Sequence, residues 1–211
     1  METPVGRAFE IETERLVLRP FREDEAAALR EAVIESLDHL RRWLGWAMHE
    51  PQTVEQKRAR IRAGRAEFES GTDLAYGVFE RAGGRIFGGS GLHDRGGAPL
   101  VLEIGYWVHR EFVNRGLATE LSGALARAGF LCEDAERIEI HCDPRNEASA
   151  AVPRKLGFRL CEVRKNHREA PDGRLRDGMI WELRAQDFAA SPAAAFPATF
   201  RCRADAAGPE F

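Results

Sequence analysis

Leu102-Glu-Ile-Gly-Tyr-Trp-Val-His-Arg-Glu-Phe-Val-Asn-Arg-Gly-Leu-Ala-Thr119 reads as a strand, a loop and a helix start in direct succession. Leu100–Val108 is a nearly continuous apolar run, as a buried strand is. It leads into a loop holding Arg115-Gly116, and a helix begins at about Leu117. The first backbone N–H groups of a helix have no intrahelical partner and point outward together. With the positive end of the helix dipole they form an anion site. Gly116 and Ala118 leave that backbone uncovered, so a phosphate can approach closely. The loop lacks the Gly-Lys-Ser/Thr of a Walker A motif and the G-x-G-x-x-G spacing of a dinucleotide site. Judged on these residues alone, a plain helix N-terminus with a small-residue cap stands beside the phosphate reading.

Outward from this stretch the pattern is regular. The helix carries Leu117, Leu121, Ala124, Ala128 and Leu131 on one face. Arg137–Cys142 alternates as a strand, Asn146–Leu156 is a short helix closed by Gly157, and Pro153 sits oddly inside it. Arg159–Lys165 and Gly178–Arg184 form a last strand pair around Asp172-Gly173. Upstream, Leu74–Glu80 and Arg85–Leu92 form a hairpin through Ala82-Gly83-Gly84. Thr53 and Gln56 have the form of a capping box, opening a helix that stops at Gly71. Before it, an amphipathic helix from Asp24 runs into Trp43-Leu-Gly-Trp46, preceded by a short strand at Arg15–Arg19. The order β-α-α-β-β-β-α-β-α-β-β predicts an α/β (α+β mixed) fold. It implies one mixed, mostly antiparallel sheet of about six or seven strands flanked by about four helices. Residues 1–186 are expected to form a single domain. Residues 187–211, rich in Ala and Pro, are expected to be a flexible tail.

Composition narrows the function classes. The 211 residues carry a net charge of −3, with no broad basic surface for nonspecific nucleic-acid binding. No apolar run approaches the ~20 residues that cross a bilayer, and the polar N-terminus has no signal-peptide core. Cys132, Cys142, Cys161 and Cys202 form no C-x-x-C pair, and the histidines and carboxylates show no metal-ligand spacing. The expectation is a cytoplasmic protein, monomeric or homodimeric, with no metal, nucleic-acid or membrane partner.

Several segments together resemble the GNAT acetyltransferases, in particular the RimJ/RimL branch, which acetylates protein N-termini and related amines. They are Glu14-Arg-Leu-Val-Leu-Arg19, Trp43-Leu-Gly-Trp46, Glu103-Ile-Gly-Tyr-Trp107, Arg115-Gly-Leu-Ala-Thr119, Asn146-Glu-Ala-Ser149 and Lys155-Leu-Gly-Phe158. The resemblance spans about Ile11 to Leu183 and implies acetyl-CoA as the donor and an amine as the acceptor. The family's loop pattern Gln/Arg-x-x-Gly-x-Gly/Ala matches at Gly116 and Ala118, but its first position falls on Val113. That departure removes a side chain and no backbone donor. By this resemblance Asn114, Arg115, Gly116, Ala118 and Thr119 line the phosphates, the pantetheine runs beside Val108, and Asn146 lies near the cofactor.

The resemblance also implies direct transfer in a ternary complex. Ser149 matches a serine proposed to protonate the leaving thiolate; a first-turn serine bonded to local backbone is the plain alternative. The tyrosine serving this role in other branches has no obvious counterpart, since the chain's tyrosines are Tyr76 and Tyr106. Two carboxylates compete as base. Glu103 lies in an apolar strand, where a carboxylate needs a partner or a shifted pKa. Glu169 precedes the Asp172-Gly173 turn, where relatives carry a glutamate facing the amine. Trp43 and Trp46 are candidates for the acceptor wall, and His93 stands at a strand end near acceptor entry. The expected reaction is acetyl transfer to a protein N-terminus or small-molecule amine. The alternatives are a non-catalytic acyl-CoA-binding module, an enzyme using another acyl-CoA such as succinyl-CoA, and a loop that takes ATP or NAD.

Overall fold

A computed structural model describes residues 6–96, 98–169 and 173–203. The strands are β1 (Arg7–Glu12), β2 (Leu16–Arg19), β3 (Leu74–Glu80), β4 (Ile86–Asp94), β5 (Val101–Val108), β6 (Arg137–Cys142), β7 (Arg159–Glu169), β8 (Leu175–Arg184) and β9 (Thr199–Arg203). The helices are α1 (Ala26–Leu40), α2 (Val54–Ser70), α3 (Leu117–Leu131), α4 (Glu147–Lys155) and the single turn α5 (Ala185–Phe188). One sheet holds all nine strands in the order β7-β8-β6-β5-β4-β3-β2-β1-β9. Among the described residues its pairings are antiparallel except β5 with β6. Helices α1 and α2 pack on each other and against β4 and β3, while α3 lies along β4, β5 and β6.

Local chemistry sets the helix boundaries. Thr53 accepts from the Gln56 amide and Gln56 reaches back to the Thr53 amide, so the capping box forms, and Gly71 closes α2 at φ 78°. Helix α1 ends earlier than its apolar pattern predicts. Leu44 is extended, and Gly45–His49 makes a separate 3₁₀ turn that carries Trp46. Buried Lys57 pairs with buried Glu50, whose other oxygen accepts from the Gln52 amide. Arg41 donates to the Glu50 carbonyl at 2.6 Å. This network fixes the turn against α2.

Two expectations need correction. The sheet has nine strands rather than six or seven, because β1 and β9 extend its far edge. Residues 187–203 are also not a loose tail. Phe188 stacks on Phe130 with ring centroids 4.6 Å apart, and Phe196 covers Gly123 of α3. Strand β9 pairs with β1, Ile11 opposite Phe200, and Arg201 bridges to Glu10 and Glu12. The alternation of Phe200 and Cys202 with arginines is too short to stand out from an Ala/Pro background. Residues 204–211 lie outside the described part of the chain.

Strands β5 and β6 pair only from Val101/Arg137 to Glu103/Glu139, although β5 continues to Val108 and β6 to Cys142. They splay apart and open a gap in the middle of the sheet. Alternation then assigns side chains to the two faces. A Cβ on Gly129 of α3 would meet Ile138 and Leu92, so this face is the one under α3. Ile104, Tyr106, Ile140 and Cys142 share it by alternation, while Glu103, Trp107, Glu139 and His141 point to the opposite face.

Candidate active site

The gap widens into a cleft of about 840 Å³ lined by β5, β6, the start of α3, α4 and the Trp43–Trp46 turn. At one end is the loop into α3. Asn114 and Gly116 both have positive φ, 59° and 77°, which turns the chain so that the first α3 amides face the cleft. The first helical bond of α3 runs from the Glu120 amide to the Gly116 carbonyl, leaving the amides of Leu117, Ala118 and Thr119 without intrahelical partners. Gly116, the N-cap, makes no side-chain cap bond. The donors are therefore presented to an anion.

That loop is tied down from behind. Glu120 is buried in the first turn of α3 and accepts from the Thr13 hydroxyl at 2.5 Å and the Arg15 amide at 3.0 Å. The Arg15 Nε donates to Glu120 at 2.6 Å, and another guanidinium nitrogen donates to the Arg115 carbonyl at 2.8 Å.

Where the strands part, three groups meet on the α3 face. The Tyr106 hydroxyl lies 2.9 Å from the Ser149 hydroxyl. The Ser149 amide donates to Asn146 Oδ1, the N-cap of α4, at 3.1 Å. Cys142 stands beside them, and burial pushes both its thiol and the Tyr106 phenol upward, so both stay protonated at neutral pH.

On the opposite face the cleft carries charge. Arg95 donates to Glu103 at 2.8 Å, and His141 lies between Glu103, at 3.4 Å, and Glu139, at 2.7 Å. The His141 hydrogen bond holds the Glu139 carboxyl below its ordinary range, and Arg137 adds to the effect. Trp46 meets Trp107 edge-on with centroids 6.3 Å apart, and His39 at the wall is kept neutral by burial. The cleft thus passes through the sheet, with hydroxyl donors on one side and carboxylates, an imidazole and indoles on the other.

Of the residues expected here, Val108, Asn114, Gly116, Ala118, Thr119, Asn146, Ser149, Glu103, Trp43 and Trp46 all line the cleft. Arg115 does not; its guanidinium lies over Phe112 at 5.3 Å and it contributes its carbonyl to Arg15. His93 also turns elsewhere, pairing with Asp73 at 2.5 Å in a shallow surface depression. Glu169 ends β7 opposite Leu175, and its side chain lies outside the described residues. Val113 packs partly buried against the core. Tyr106, Trp107, His141 and Cys142 are cleft residues that the sequence reading left unassigned. Period-two alternation carried from Glu103 to Tyr106 separates the two faces, but the splay from β6 has no local signature. Among the described residues no His/Cys/Asp/Glu group fits a metal ion, and no helix is long and apolar enough to cross a membrane.

A family model described as Acetyltransferase (GNAT) domain matches residues 15–159. A Bacillus subtilis protein, YdaF, provisionally named a ribosomal N-acetyltransferase, is 25% identical over 79% of this chain and 84% of its own. The solved structure of Mycobacterium smegmatis RimJ in complex with CoA-disulfide is 28% identical. It covers 88% of this chain and 91% of that one at a TM-score of 0.74. RimL, the ribosomal L7/L12 alpha-N-protein acetyltransferase solved with coenzyme A, shares the fold at a TM-score of 0.75. It is 23% identical, over 82% of this chain and 95% of its own.

Proposed function

Because the chain belongs to the acetyltransferase (GNAT) domain family and moves acetyl from acetyl-CoA to an amine, we propose that its acceptor is a protein N-terminus. A ribosomal protein is the first candidate, which places the reaction in the cytoplasm. The observation that carries this is the lining of the cleft on the face opposite α3, where the exposed indole of Trp46 and the buried carboxylate of Glu103 both border it. An extended chain end bearing an ammonium group fits an apolar wall with an anion at its base. The provisional name of YdaF, a ribosomal N-acetyltransferase similar over most of its length, supports the same class of acceptor.

In this reading the acetyl-CoA pyrophosphate sits on the amides of Leu117, Ala118 and Thr119, and the pantetheine runs along the β5 edge left unpaired beyond Glu103. The thioester then lies between the two faces. An alkyl amine is mostly protonated at neutral pH, so it must lose a proton before or during attack. Glu103, beside His141, takes that proton on the acceptor side. Ser149 donates a hydrogen bond to the sulfur as the C–S bond breaks. Transfer is direct: Cys142, the cysteine lining the cleft among the described residues, is held as a thiol by burial, and a thiol is a poor nucleophile.

The test is to present acetyl-CoA with N-terminal peptides of ribosomal proteins, the same peptides blocked at the α-amine, and free polyamines. Thiol release and the mass-mapped acetylation site are then read. Modification at the α-amine is the expected result. Acetylation confined to lysine side chains or polyamines would sink the acceptor assignment while leaving the donor chemistry standing.

A further inference from the structure

Among the described residues Tyr106 is the phenol that reaches the cleft; the other tyrosine, Tyr76, spends its hydroxyl on the Ala8 carbonyl at 2.6 Å, in the core. Tyr106 stands in β5 on the face under α3, two residues beyond Ile104, and its hydroxyl crosses the gap to α4. Two oxygens lie there, the Ser149 hydroxyl at 2.9 Å, where either partner can donate, and the Ser149 carbonyl at 3.4 Å, which accepts. The shorter contact has the better hydrogen-bond geometry. A serine hydroxyl has one proton to give. If its oxygen accepts from a phenol, that proton is left for another partner.

We propose that Tyr106 is a positioning residue for acetyl transfer, fixing the Ser149 hydroxyl as a donor aimed at the sulfur of the departing coenzyme A. This rests on the assignment of Ser149 made above. Accepting from Tyr106 polarises the Ser149 O–H and strengthens the bond it gives, as chained hydrogen bonds do at low local dielectric. The sulfur gains negative charge only as the C–S bond breaks, so the stabilisation falls on the transition state and not on bound substrate. The balance is simple. The amine nitrogen forms a bond to the acetyl carbon, the C–S bond breaks with its electrons on sulfur, and the thiolate is held by Ser149. The proton that the nitrogen loses passes to Glu103 and from there to solvent, and the thiolate takes one proton from solvent as coenzyme A leaves, so Tyr106, Ser149 and Glu103 end the cycle as they began. Asn146 completes the device by fixing the Ser149 backbone.

A double-mutant cycle tests this, using Tyr106→Phe, Ser149→Ala and the pair, with kcat and the acetyl-CoA dissociation constant measured for each. Tyr106→Phe removes one oxygen and is expected to lower kcat about tenfold, equivalent to about 1.4 kcal/mol, with acetyl-CoA affinity unchanged. In the Ser149→Ala background the same change is expected to have no further effect on kcat, because its target is gone. Equal losses in both backgrounds, or an unchanged kcat in Tyr106→Phe alone, would overturn the proposal. An unchanged kcat in Ser149→Ala alone would instead overturn the assignment of Ser149, so the two failures are distinct. A ring-fluorinated tyrosine placed at position 106 alone keeps the contact with a stronger donor. It should retain the wild-type kcat or exceed it; a loss like that of Tyr106→Phe also counts against the proposal.

Discussion

Arg15 holds Glu120 by Nε at 2.6 Å and by its backbone amide at 3.0 Å, linking the turn between β1 and β2 to the first turn of α3. The same guanidinium donates to the Arg115 carbonyl, so one side chain fixes both ends of the turn into α3. Glu120→Ala would leave the Arg15 amide without its acceptor and the buried Thr13 hydroxyl with only the Leu16 carbonyl at 3.4 Å, at about 1–3 kcal/mol. For a chain of this size each kcal/mol is roughly 2–4 °C of melting temperature. Arg15→Ala is expected to differ in kind. Its side chain is 45% exposed, so the direct loss is screened and small, yet the loop loses its anchor and the affinity for coenzyme A falls several-fold. Calorimetric titration beside thermal melts separates the two. Coenzyme A binding at wild-type strength in Arg15→Ala would show that the loop holds its shape unaided.

Gly116 offers a complementary test. A Cβ there would find only an Arg15 guanidinium nitrogen, at 3.6 Å, so Gly116→Ala meets no clash. Its penalty comes from φ 77°, about 1–2 kcal/mol for an L-residue in the left-handed region. Relief of that strain would turn the loop and move the amides of Leu117, Ala118 and Thr119 out of their common direction. Acetyl-CoA affinity should drop by tenfold or more. Gly64→Ala, in the interior of α2 with nothing near its Cβ, should gain about 0.5–1 kcal/mol and leave binding alone.

On the acceptor side, Glu103→Gln keeps the shape of the side chain and removes its charge. Arg95 and His141 lose their anion, while the phosphate loop is untouched. We expect kcat to fall by about 10²-fold or more, the range of a lost general base, with the acetyl-CoA dissociation constant within twofold. A kcat unchanged at saturating acceptor would move the base elsewhere. Trp46→Ala is expected to raise the acceptor KM and to spare acetyl-CoA binding, since the indole meets Trp107 at the mouth and not the loop. An unchanged KM would make Trp46 a packing residue.

How much of this was legible in the sequence depends on the range of the interaction. The capping box at Thr53 and Gln56, the stop at Gly71 and the helix start at Gly116 are local, and the structure has them where the residues place them. The turn that exposes the first α3 amides was legible for the same reason. Tyr106 was visible as a residue but not as a partner of Ser149, because their contact spans 43 positions and arises from the splay of β5 from β6. His93 failed in the opposite sense. Its place at a strand end was read correctly, but its ring turned to Asp73 of the β3 approach. Arg115 was expected to line the phosphates, whereas its guanidinium lies over Phe112 and its carbonyl accepts from Arg15.

The C-terminal segment shows how the sign of one substitution can decide a structural question. Gly123 lies in the interior of α3, where glycine costs about 0.5–1 kcal/mol relative to alanine. If residues after 187 were a loose tail, Gly123→Ala would stabilise the protein by that amount. In the structure a Cβ at Gly123 would come within 2.6 Å of the Phe196 ring, a distance real Cβ contacts essentially never show. That ring is held in place, because Arg127 donates to the Ala194 carbonyl and β9 continues the segment into the sheet. Gly123→Ala must therefore displace Phe196 or strain α3, and overpacking of this kind costs about 1–3 kcal/mol. The expected outcome is a lower melting temperature with faster proteolysis after Phe188. A higher melting temperature with unchanged proteolysis would mean that Phe196 does not rest on α3, and that the nine-stranded sheet is not closed off by its last strand.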